Sequence, residues 1–241
     1  MSMEEQLTEL VERLKTAASG NLEAVVLYGS AVSSDHHVEF SDLNLLCVLR
    51  EVSAQTLAGL APAIHWWMEK KHPAPLIFSR TELEQSADVF AIEFLDMKQQ
   101  HRILYGTDLL QHLQVSLRHH RTQVERELRT KLLLLRQHYL ASSGDEHKIR
   151  HLMLSSVTNF LTLFRHALIT MGEAPPASKR EAVRYLGEKL GFDSSPFWEL
   201  LDIREQRAKA DTIDVQNTFS RYLKGIEAVI QTVDALDKEK P

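Results

Sequence analysis

Apolar residues recur at helical spacing through Leu7, Leu10, Val11 and Leu14, which predicts an amphipathic helix over 3–18 that closes near Gly20. A short apolar run, Glu23 to Tyr28, follows at once and predicts a strand. The polar stretch 31–40, with Ser33, Ser34, Asp35, His36 and His37, predicts a loop before a second, buried strand over 43–49. Ser53 is placed to cap a helix through Leu57, Leu60, Ile64 and Trp67 to about Lys71, with Pro62 a candidate kink and His72-Pro73 a stop. Leu76-Ile77-Phe78 predicts a third strand, and Ser79-x-x-Glu82 reads as a capping box for a short helix. Val89 to Phe94 fits helix and strand equally, and Arg102 to Gly106 predicts the last strand.

Beyond Thr107 the pattern changes to long helical registers with short breaks. Leu117, Val124, Leu128, Leu132 and Leu135 mark a helix over 116–140, ended by Ser142-Ser143-Gly144-Asp145. Further helices are predicted at about 147–171, from Ser178 to Gly191, from Ser195-Pro196 onward, and from about 215 to 236. The fold class is therefore α/β plus α: a small mixed sheet with flanking helices over 1–110, then an all-α bundle of five helices over 111–241.

Composition narrows the function classes. Hydrophobic residues at 44% and charged residues at 25% describe a folded globular chain, and 241 residues suffice for two cores. A formal net charge of -5 gives no general affinity for nucleic-acid backbone. Cys47 lies in an apolar strand pattern and reads as a small core residue in a reducing compartment. The start of the chain is acidic with no apolar signal region, and no stretch reads as a membrane span, so a cytoplasmic location without membrane contact is expected.

The chemistry concentrates where Leu27-Tyr28-Gly29-Ser30 is followed, across the polar loop, by Ser41-Asp42-Leu43-Asn44-Leu45. Strand alternation puts positions 42 and 44 on one face. The segment resembles the nucleotidyltransferase superfamily, whose motif is an apolar strand, Gly-Gly or Gly-Ser, then a strand with two alternate carboxylates. An α/β unit followed by an all-helical partner is similar to the streptomycin and spectinomycin type of aminoglycoside adenylyltransferase. His101 to Gly106 resembles the end of that family's small domain, and Phe164-Arg165-His166-Ala167-Leu168 part of its helical one.

The resemblance implies transfer of a nucleoside monophosphate from ATP or another NTP to a hydroxyl of a small molecule. Gly29 and Ser30 would contact the phosphates, as would Asn44, with Asp42 and Asn44 as ligands of Mg²⁺. A third carboxylate completes such sites as ligand or base. Strand 74–78 offers none, which leaves Glu82, Glu84, Glu93 and Asp96, with Glu93 taken as the catalytic candidate beside Asp42. Asn44 departs from the pattern because its amide oxygen carries no charge. One unit-charge pair at about 4 Å is worth roughly 4 kcal/mol at an effective dielectric near 20, so a weakened or lost activity with a degenerate metal site is expected. The alternative is a non-catalytic nucleotide-binding or protein-interaction module, regulatory or antitoxin-like.

Other polar groups have plainer readings. His36-His37 in the loop and two of His119, His120 and Arg121 are expected in solvent. Arg165, Arg204 and Arg207 are candidates for an anionic ligand, with ion pairs to Asp202 and Glu205 the commoner fate. Trp66-Trp67 cannot face one side together, so one is core and the other lies at an interface. Leu132 to Leu135 covers too much of a helix for one-sided burial and points to a partner chain, such as a second copy. An RNA-cleaving helical domain would need an arginine followed four to six residues later by a histidine, and Arg136 and His138 are too close.

Overall fold

The computed structural model describes residues 1–32, 43–174, 176 and 178–236. The chain divides into two compact units, Met1–Leu117 and Arg118–Pro241.

In the first unit, helix α1 (Met3–Ala18) runs into strand β1 (Leu22–Tyr28) and a 3-10 turn at Gly29–Ala31. Then come β2 (Asn44–Leu49), α2 (Ala54–Glu69), β3 (Leu76–Ser79), α3 (Arg80–Gln85), α4 (Ala91–Gln99), β4 (His101–Gly106) and α5 (Leu109–His112). The strands form one mixed sheet in the order β3-β2-β1-β4, with β1 antiparallel to both β2 and β4 and β2 parallel to β3. β3 is an edge strand, so Pro75 just before it removes no central ladder bond.

Strand alternation sends side chains to two separate cores. Val25 and Leu27 of β1 and Leu45, Cys47 and Leu49 of β2 pack with Leu7, Leu10 and Leu14 of α1 and Leu60 and Trp67 of α2. Ala24 and Val26, with Leu46 and Val48, pack on the opposite face with Leu83 of α3, Phe94 and Met97 of α4, and Leu110. The spacing of Phe94 and Met97 decides the ambiguous segment in favour of helix, since both meet one core from one side. α2 continues unbroken through Pro62, which lies on its exposed side with Ala58, whose carbonyl lost the helical N–H. Cys47 is buried, and burial pushes its thiol up to about 12.

Trp67 is the core member of the tryptophan pair. It is fully buried, stacks on His72 at 4.1 Å, and donates its indole N–H to the Pro73 carbonyl at 2.9 Å. Trp66 instead lies between the Arg13 guanidinium, 4.6 Å from its ring centre, and Lys70 at 5.8 Å.

The second unit holds α6 (His120–Ala141), α7 (Glu146–Thr170), α8 (Lys179–Leu190), α9 (Ser195–Arg204) and α10 (Val215–Ala235). α7 packs against all four others. By length and composition alone α7 is apolar enough to cross a membrane, although no stretch was expected to; Ile149, Met153, Val157, Phe160 and Phe164 are buried in the bundle. α6 starts at His120 rather than 116, because Leu117 is exposed and does not join the buried register. Leu132 and Leu135 are buried while Leu133 and Leu134 are exposed, so the single chain covers one side of this run, not two.

Candidate functional site

Gly29 ends β1 with φ at +83°, a region that suits glycine, and the chain then tightens into a turn closed by the Val32 N–H donating to the Gly29 carbonyl at 3.1 Å. Ser30 lies within that turn. Across the ladder Asn44, the first residue of β2, stands opposite Tyr28. Its Nδ2 would lie 3.4 Å from a Cβ placed on Gly29. The glycine and the asparagine singled out in the sequence are thus neighbours in space. Asp42, with His36 and His37, lies outside the described residues.

The register carries the row further. His101, first in β4, stands opposite Tyr28 on its other side. Tyr28 packs with the α4-side core, and alternation puts Asn44 and His101 on that same face. Asn44, Tyr28 and His101 therefore form a polar row across three strands at the Gly29 end of an otherwise apolar surface. Glu93, exposed in the first turn of α4, belongs to the same side. Burial raises the pKa of the Tyr28 phenol, and the negative charge of Glu93 raises it further.

His101 is held at both nitrogens. Nδ1 is 2.8 Å from the Met97 carbonyl oxygen and Nε2 is 3.0 Å from Oδ2 of Asp108. Both partners offer acceptor oxygens, so each ring nitrogen faces one. Asp108 also caps α5 by accepting the Gln111 N–H at 3.0 Å. Burial works to raise the Asp108 carboxyl, but the hydrogen bonds from His101 and Gln111 outweigh it and the group titrates below the usual carboxylate range.

For a divalent ion the donor chemistry here is thin: Asn44 offers a neutral amide oxygen, and Glu93 reaches the row from a different element. Among the described residues no three His, Cys, Asp or Glu side chains are grouped to hold a metal. Of the other carboxylate candidates, Glu82 accepts the Ser79 N–H at 2.7 Å in its capping box, Glu84 lines a cavity of about 470 Å³ with Arg80, Asp108 and His112, and Asp96 is half-buried in α4.

The arginine candidates of the second unit have protein partners. Arg204 donates to the Leu154 carbonyl at 2.6 Å, Arg207 lies 3.2 Å from Glu205, and Arg165 is buried in α7. Of the His119-His120-Arg121 run, His120 is the buried member, with Nε2 at 2.9 Å from Nδ1 of buried His166. Arg121 bridges to Glu125 at 2.8 Å.

Comparison with solved structures finds a likeness over nearly the whole chain. The fold is similar to the crystal structure of spectinomycin adenyltransferase AAD(9) from Enterococcus faecialis with ATP and spectinomycin, at 16% identity and a TM-score of 0.58. The match covers 97% of this chain and 100% of that one. At that identity the likeness fixes the architecture: a small mixed sheet with flanking helices followed by a helical region, as the sequence resemblance implied. No family model matches the chain, and no curated protein matches it.

The sequence missed Tyr28, His101 and Asp108 as members of the site. Asp108 had a legible signal, as an acidic cap before Leu109. His101 was marked only as the start of a stretch resembling the end of the family's small domain, and the β1–β4 register alone brings it beside Tyr28.

Proposed function

We propose that this protein is a nucleotidyltransferase-like enzyme that moves a nucleoside monophosphate from an NTP, ATP first, to a hydroxyl of a small molecule, with activity weakened at Asn44. The observation that carries this reading is the meeting of Gly29, at φ +83°, with the Asn44 amide at the end of paired antiparallel strands. The similar fold of a protein crystallised with ATP and spectinomycin supports it.

In this reading the turn at Gly29 and Ser30 lets backbone approach the phosphates without a side chain in the way. Asn44 donates from its amide to a phosphate oxygen. The acceptor oxygen attacks the α-phosphorus, a new P–O bond forms, and the bond to pyrophosphate breaks. Glu93 takes the acceptor's hydroxyl proton. Mg²⁺, when bound by Asp42 and Asn44, would offset phosphate charge, and with one fewer anionic oxygen it would be bound weakly.

The test is pyrophosphate release by the full chain with ATP, Mg²⁺ and spectinomycin or related aminocyclitols as acceptor probes. Release that Asp42→Ala abolishes supports the enzyme; ATP binding without release or metal dependence supports a non-catalytic nucleotide-binding module instead. Absence of nucleotide binding overturns both. Asn44→Asp should tighten Mg²⁺ by about tenfold or more, and unchanged affinity counts against a metal role for position 44.

A further inference from the structure

Helix α4 carries Glu93 in its first turn and ends at Gln99, directly before the strand that begins with His101. The Met97 carbonyl belongs to the last turn, where no helical N–H remains to meet it. His101 supplies that missing donor through Nδ1 at 2.8 Å, and through Nε2 it grips Asp108, the cap of α5. Lys98 adds a second tie by donating to the Leu113 carbonyl just past α5. Met97 lies one helical turn beyond Glu93, so whatever fixes the end of α4 fixes the base of the Glu93 side chain.

We propose that His101 is a positioning residue which, by fastening α4 to β4 and to the Asp108 cap, holds Glu93 beside the Asn44–Tyr28 end of the sheet. Its catalytic consequence rests on the transferase reading above; the fastening itself does not. The ring touches no reacting atom. It acts through α4, and its loss leaves Glu93 chemically intact but displaced.

The experiment compares wild type with His101→Phe, which keeps an aromatic ring and deletes both bonds, and His101→Gln, which keeps an amide donor toward Asp108. Glu93→Gln and the double variant with His101→Phe complete a cycle. Amide hydrogen exchange over 91–99 should quicken about tenfold in His101→Phe and less in His101→Gln, with α1 and α2 unchanged. With ATP, Mg²⁺ and spectinomycin, His101→Phe should lower kcat about tenfold with KM for ATP within about twofold, and the double variant should be no slower than Glu93→Gln alone. Unchanged exchange over 91–99 in both His101 variants overturns the proposal whether or not ATP turns over. Losses that multiply in the double variant overturn it too, by showing that His101 does not act through Glu93. A wild type that releases no pyrophosphate overturns the transferase reading instead, and the exchange result still judges the fastening.

Discussion

The Asn44 amide nitrogen stands 3.4 Å from where a Cβ on Gly29 would lie, an ordinary contact distance, so a Cβ fits against it and the backbone of position 29 is the constraint. The φ of +83° is what an L side chain resists. Gly29→Ala should cost about 1–2 kcal/mol of stability in urea unfolding. The same cost should appear in an Asn44→Ala background, because relieving the neighbour does not change the dihedral. A smaller loss there would assign the strain to the contact.

Gly106 presents the opposite case. A Cβ there would fall 1.8 Å from the Glu23 carbonyl oxygen, and φ is also positive at +80°. The clash is with backbone of the central strand, which cannot swing aside. Gly106→Ala should destabilise by about 3 kcal/mol or more, measured by the denaturation midpoint, with the β1–β4 amides losing exchange protection first. A change below about 1 kcal/mol would mean that this edge of the sheet moves freely.

The Asp108 carboxyl sets a pH dependence. Its folded value is depressed, so its contribution is present above the unfolded value, about 3.9, and is lost as pH falls through the lower folded value. Asp108→Asn should therefore be less stable than wild type at pH 7, and the gap should close as pH drops below about 4. Thermal melts at stepped pH read this directly. A gap that persists into strong acid would show that shape, not charge, carries the contribution.

Buried His120 and His166 share one hydrogen bond of 2.9 Å between α6 and α7. His166→Phe should cost about 1–3 kcal/mol, since the remaining ring loses this partner away from water. Urea unfolding followed by circular dichroism measures the loss. No change would show that the ring finds an equal partner elsewhere.

Much of the architecture was legible because short-range physics wrote it. Ser79-x-x-Glu82 predicted a capping box, and the structure closes it at both ends, with the Glu82 N–H donating to Ser79 Oγ at 3.1 Å. The near-continuous apolar run over 43–49 predicted a buried strand, and the two cores divide its odd and even residues. Gly29 and Asn44 were legible as a turn and a strand start. Their neighbour His101 was not, because a pairing register is set by packing of whole strands and leaves no mark on a single residue. For the same reason the sequence left open which of His119, His120 and Arg121 is buried: the partner of His120, His166, lies on another helix, and no spacing along the chain announces it. Leu133 and Leu134 are exposed on the single chain, so the two-sided burial that the run suggested depends on contacts outside it.

The sealed position of Trp67 has a practical consequence. An indole enclosed on all sides and pinned at its N–H emits bluer light than a wetted one, so intrinsic fluorescence can follow the core between α1, α2 and the sheet without an attached dye. With Trp66 and Trp198 changed to phenylalanine, that single emitter becomes an optical gauge of whether this part of the molecule stays closed.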